Sequence, residues 1–144
     1  MLIDVIIIYG FIYISIFSHE MMHCFCAIVA KIDIYQVSIG FEPLGVRLGI
    51  FTVSPVLGPS YIEVSTEQLN KRNRLSKVLF YSSGIIGNII LALIFAIACN
   101  VTGSFLCMIG VFINIMMIII NSIPVGRTDI ALLVKIQKNK RVLP

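Results

Sequence analysis

Long, almost uninterrupted apolar runs alternate with two polar regions along this chain. Leu2 to Ala30 is apolar nearly throughout, as are the stretches from about Val78 to Cys99 and from about Ser104 to Ile120. A helix rises 1.5 Å per residue, so the first run would be about 43 Å long against a hydrocarbon core of roughly 30 Å, while the third sits near the short limit of about 17 residues. The pattern predicts three membrane-spanning helices, 2–30, 78–99 and 104–120. Asn100-Val101-Thr102-Gly103 is a tight uncharged link, so the last two helices form an antiparallel hairpin.

Between the first two runs the period changes. Ile32 to Ile39 is β-branched and roughly alternating, which reads as a strand; Glu42-Pro43-Leu44-Gly45 is a turn signal, and Val46 to Val53 reads as one return strand. Tyr61-Ile62-Glu63-Val64 reads as a third short strand. Ser65 with Gln68 fits a capping box, opening a basic helix from about Thr66 that leads into the second span. The fold class expected is mainly α and integral to the membrane: three transmembrane helices, a small β-hairpin or sheet inserted between the first two, and a broken backbone after the third. The whole of 1–144 forms one unit, with a β-containing cytosolic loop, 31–77, and a cytosolic tail, 130–144.

Composition agrees. Of 144 residues, 58% are hydrophobic and 12% charged, and mean hydropathy is +1.01. A soluble domain of this size cannot bury that much apolar surface. The net charge of +4 reflects topology rather than nucleic-acid binding. Lys31, Arg47, Lys71, Arg72, Arg74 and Lys77 lie between the first and second spans, and Arg127, Lys135, Lys138, Lys140 and Arg141 follow the third. With three spans both groups fall on one side, which places the N-terminus outside and the C-terminus in the cytosol. The first run is too long for a signal-peptide core and is expected to be retained. Cys99 and Cys107 flank the short link; their spacing leaves a disulfide open.

Both histidines of the chain fall in His19-Glu20-Met21-Met22-His23, an H-E-x-x-H motif inside the first span. Positions i and i+4 share a helix face, so both imidazoles can reach one ion, and Glu20 can serve as general base. An ionisable residue at mid-membrane costs roughly 2.5–3.5 kcal/mol, so such residues there are functional by default. A catalytic zinc usually takes three protein ligands. Candidates for the third are Asp33, Glu42, Glu63 and Glu67 in the polar region, Cys26 on the same helix, and Asp129, which a backbone break at Pro124 and Gly126 could turn back toward the first helix. His23 lies about 10 Å of helix from the cytosolic end at Ala30, and Asp129 also falls at the cytosolic end of its span.

Taken in order, these motifs resemble the site-2 proteases, M50-type intramembrane zinc metalloproteases that include the sporulation sigma-factor processing enzymes. His19 to His23 matches their first motif. Gly84-Ile85-Ile86-Gly87-Asn88 resembles their G-P-x-x-N, with Ile85 in place of proline. Asn121-Ser122-Ile123-Pro124 followed by Asp129 matches N-x-x-P-x-x-x-x-D-G, with Ile130 in place of glycine. Ser54-Pro55-Val56-Leu57-Gly58 is reminiscent of a P-x-G-G segment. The chain resembles the bare three-helix core of that family, without an appended regulatory module. The resemblance implies that His19, His23 and Asp129 bind zinc and that Glu20 is catalytic. It also implies that Asn88 contacts substrate or an oxyanion, and that Gly84, Asn121 and Pro124 shape the backbone around the site.

The function expected is an intramembrane endopeptidase acting in or near a transmembrane segment of a membrane-bound protein or peptide precursor. Its partners would be that substrate and the lipid bilayer, not nucleic acid; a regulatory membrane partner or a homo-oligomer stays open. Two rivals use the same residues: a metal-binding transporter or sensor subunit, and a non-catalytic homologue that only binds a membrane segment.

Overall fold

The structure, a computed structural model, describes residues 2–124 and 129–131. Three long helices dominate it: α1 (Leu2–Val29), α3 (Arg74–Thr102) and α4 (Phe105–Ser122). All three are long and apolar enough to cross a membrane. Their outward side chains, such as Leu93, Ile97, Phe105 and Phe112, are exposed. A row of large apolar groups facing outward suits hydrocarbon and not water. Basic residues 127, 135, 138, 140 and 141, Gly126 and the tail beyond 131 lie outside the described residues.

The turn after α1 decides where the polar region goes. Lys31 adopts the left-handed conformation (φ 52°), with Ile32 N–H donating to the Ala27 carbonyl at 2.9 Å and Lys31 N–H to that of Ile28 at 3.0 Å. This is a Schellman-type ending with lysine where glycine is usual, and the hydrophobic contact that accompanies such endings is present, since Ile32 packs on Ala27. The Arg72 guanidinium donates to the Lys31 carbonyl at 2.6 Å and helps hold it. The chain is thereby sent back along α1 rather than away from its end.

Four strands follow: β1 (Ile34–Ile39), β2 (Val46–Leu48), β3 (Phe51–Val53) and β4 (Tyr61–Val64), arranged β2-β3-β1-β4. The expected single return strand over 46–53 is in fact two. Leu48 pairs with Phe51, leaving a two-residue loop in which Gly49 has φ +65°; glycine first in such a loop is the type II′ signature. Consequently β3 runs parallel to β1, not antiparallel as a return strand would, while β4 is antiparallel to β1. Val37 and Ile39 of β1 pack on Cys24 of α1, with Tyr13, Ile16 and Met21 around them. Beyond the sheet the Tyr13 hydroxyl donates to the Ser54 carbonyl at 2.9 Å and the Tyr9 hydroxyl to that of Pro55. The sheet and the segment that follows β3 therefore climb beside α1 as far as Tyr9, about 30 Å of helix from Val29.

A short helix, α2 (Thr66–Lys71), precedes α3 and is separate from it: Arg72 is extended, and Asn73 caps α3 by accepting from Ser76 N–H at 2.8 Å. Only half of the expected capping box forms. Ser65 accepts from Gln68 N–H, but the Gln68 side chain turns to Asp33 instead, accepting from its N–H at 2.8 Å and donating to its carboxylate at 2.6 Å. That exchange ties α2 to the start of β1. Gly103, left-handed at φ 64°, closes α3 with its N–H on the Cys99 carbonyl, so α3 and α4 form the expected hairpin on a shorter link. Cys99 and Cys107 are free thiols.

Candidate metal centre

The buried side chains of α1 include Ser15, His19, Glu20, His23, Cys24 and Ala27. Within that set, Ser15, His19, His23 and Ala27 recur every four residues, so they form one stripe. Facing them, α3 buries Lys77, Phe80, Ser83, Gly84, Gly87 and Asn88. The small residues let the helices approach closely. A Cβ on Gly87 would lie 2.6 Å from Met22 Cγ, and one on Gly84 would lie 2.4 Å from Nε2 of His19 and 2.6 Å from Nε2 of His23. Gly84 therefore leaves open the space into which both ring nitrogens point.

Asp129 enters that space from the other end of the chain. Residue Ile123 is extended (ψ 123°) ahead of Pro124, as a residue before proline prefers, and α4 stops at Ser122. Asn121 turns its amide back to the Met117 carbonyl at 3.0 Å. Asp129 is then buried, with Oδ2 at 3.3 Å from Nε2 of His19 and Oδ1 at 3.3 Å from Nε2 of His23. Oδ2 makes no hydrogen bond despite its burial. One ligand atom from each of the three residues lies within 4.8 Å of the others. Three Lewis-basic atoms aimed at a shared centre, one of them an orphaned buried oxygen, are what a divalent ion requires and what hydrogen bonding alone does not satisfy.

The outer nitrogens are held by α3. His23 Nδ1 lies 2.8 Å from the Phe80 carbonyl and 3.0 Å from Ser83 Oγ, and Ser83 also donates to that carbonyl at 2.8 Å. His19 Nδ1 lies 3.2 Å from Nδ2 of Asn88, whose side chain is fully buried. Glu20 is buried one step around α1 from His19 and interacts electrostatically with His19, His23 and Asp129.

The other candidates for a third ligand are engaged elsewhere. Asp33 is tied to Gln68, Glu42 to Tyr61 and Gln36, and Glu67 to Lys71; Glu63 is exposed on β4. Cys26 packs beside the Ala27, Ile32, Leu69 and Phe80 cluster. Sequence reasoning missed Ser83 and the Phe80 carbonyl. Ser83 immediately precedes the Gly84 motif, a signal that could have been used; a backbone carbonyl carries none.

The sequence model of Peptidase family M50 matches residues 7–104, more than half of the chain. The chain belongs to peptidase family M50. Membership implies peptidase activity, and M50 peptidases are in general zinc metalloproteases. The match spans His19, Glu20, His23, Gly84 and Asn88 but ends before Asp129, so the placement of Asp129 beside the histidines is a separate observation. Neither the curated proteins nor the solved structures gave a match.

Proposed function

We propose that this M50 peptidase is an intramembrane zinc endopeptidase that cuts a peptide bond in or near a membrane-embedded segment of a protein or peptide precursor. The observation that carries the reading is the convergence of His19, His23 and Asp129 on one buried point between helices that are apolar enough to span a bilayer.

His19, His23 and Asp129 would hold the zinc. When bound, zinc supplies Lewis acidity, polarising the scissile carbonyl and acidifying the attacking water. Glu20 takes the proton from that water as it attacks and passes it to the departing amine, the usual work of a buried carboxylate in this position. Glu20 is buried beside His19, His23 and Asp129, and the exclusion of bulk water strengthens each of these electrostatic effects.

A transmembrane helix hides its backbone in internal hydrogen bonds, so a substrate must unwind before it can be cut. β2 and β4 are the outer strands of the sheet, and an extended peptide adding to such an edge would keep its backbone satisfied. The basic residues flanking the spans orient α1 with its N-terminus outside. His23, about 9 Å of helix from Val29, then lies toward the cytosolic side.

The test is co-expression with a panel of single-span reporter proteins, followed by mass spectrometry of the products. The wild type should release fragments cut in or near the span, and Glu20→Gln should release none. Equal cleavage by both would overturn the mechanism; zinc binding with no fragment released from any reporter would favour a transporter, sensor or binding subunit.

A further inference from the structure

His19 and His23 are held in different ways. A metal takes the lone pair of Nε2 only if that nitrogen carries no proton, and a neutral imidazole then carries its proton on Nδ1. For His23 this is arranged by the backbone: the Phe80 carbonyl, 2.8 Å from Nδ1, can only accept. For His19 the neighbour is the Asn88 carboxamide, which can either donate or accept. Nδ2 faces Nδ1 of His19 at 3.2 Å, while Oδ1, fully buried, has no hydrogen-bond partner. An amide that donated there would put the proton of a neutral His19 on Nε2, where the ring could not bind a metal. A half-turn of the amide exchanges its two ends at almost no steric cost. It brings the orphaned oxygen to Nδ1 and frees the Nε2 lone pair.

We infer that Asn88 is a positioning residue for the metal: its carboxamide oxygen accepts from Nδ1–H of His19 and so keeps Nε2 available to the ion. The assignment rests on the metal-site reading above and replaces the substrate or oxyanion role implied by sequence resemblance. His23 is then the permanently prepared ligand, and His19 the one whose tautomer Asn88 selects. Outer partners of this kind orient metal-ligating histidines and fix their tautomer.

The experiment compares zinc affinity, by competition with a chromophoric chelator, in the purified full chain and in Asn88→Ala and Asn88→Asp. Removing such a partner typically weakens binding by about 10–100-fold, which is the loss expected for Asn88→Ala. Asn88→Asp keeps an acceptor at the same place and should return affinity to the wild-type range. Because the chain has only two histidines, 15N-histidine NMR of the zinc-loaded protein resolves both rings. Asn88→Ala should lose the slowly exchanging Nδ1–H of His19 and keep that of His23. Unchanged affinity in Asn88→Ala, with only cleavage lost, would overturn the assignment in favour of a substrate role, as would equal losses in Asn88→Ala and Asn88→Asp. A wild-type protein that binds no zinc would instead remove the metal reading itself.

Discussion

Gly84 faces the imidazole of His19 so closely that a Cβ there would stand 2.3 Å from its Cε1 and 2.4 Å from its Nε2. Real Cβ contacts are essentially never that short, and the atoms it would meet belong to two imidazole rings already held at Nδ1 by α3. Gly84→Ala should therefore displace the proposed metal ligands themselves. Overpacking of this kind costs about 1–3 kcal/mol, roughly 5- to 150-fold in zinc affinity if it falls on the site. Chelator competition measures it, and affinity equal to wild type would mean that α3 does not lie against the two histidines.

The helix pair α3–α4 makes a similar demand away from the site. A Cβ on Gly110 would come 2.7 Å from the Phe95 ring, which itself stacks edge-on against Phe11 at 4.8 Å. Gly110→Ala should lower stability by about 1–3 kcal/mol, and adding Phe95→Leu should recover part of the loss. Denaturation in detergent of the single and double variants checks the coupling; strict additivity would contradict the contact.

How much of this was legible in the residues depended on whether the chemistry lay in a side chain or in the backbone. His19, Glu20 and His23 announce themselves by a spacing of four within an apolar helix. Asp129 is recognisable from the order of the motifs around Asn121 and Pro124, and burial between the histidines separates it from Asp33, Glu42, Glu63 and Glu67. The sheet was harder. Gly49-Ile50 is a two-residue loop too short to stand out in a run that is mostly apolar and β-branched, so Val46 to Val53 reads as one strand with β3 running the wrong way; the break in alternation at Ile50-Phe51 is the only trace of the turn. The left-handed turn that sends the sheet back along α1 falls on Lys31, a residue with no preference for it. Gln68 was read as half of a cap because its competing partner, Asp33, is distant in sequence.

The polar cluster on the sheet gives a pH dependence. Hydrogen bonds from Tyr61 and then Gln36, aided by the charge of Arg47, hold the Glu42 carboxyl below its ordinary value near 4.5. The same bond to Glu42, followed by slight burial and the charges of Glu42 and Glu63, pushes the Tyr61 hydroxyl above 10.0. A lowered carboxyl contributes stability above its unfolded value that is lost as pH falls through the folded one; a raised phenol contributes below its unfolded value and loses it as pH rises through the folded one. Glu42→Gln should flatten the acid limb of a melting-temperature profile below about pH 5. A variant with the wild-type profile would remove the cluster as its source.

Topology can be tested without any chemistry. In a cysteine-free background, Lys71→Cys at the end of α2 and Thr102→Cys at the end of α3 flank the α3 span, both exposed, and α3 itself is about 42 Å long. The charge distribution predicts that an impermeant thiol reagent applied to intact cells labels position 102 and not position 71. Labelling of both, or of 71 alone, would contradict the orientation.

The most direct test of the account is the zinc content of the purified protein, measured by elemental analysis in the wild type and in His19→Ala, His23→Ala, Asp129→Ala and Glu20→Gln. The three proposed ligands make one catalytic set, so the wild type should carry about one zinc per chain. Glu20→Gln should keep it, because Glu20 acts on water and not on the ion, and each of the three ligand variants should be depleted. Full occupancy in Asp129→Ala, or loss in Glu20→Gln equal to that in His19→Ala, would contradict the metal centre described here.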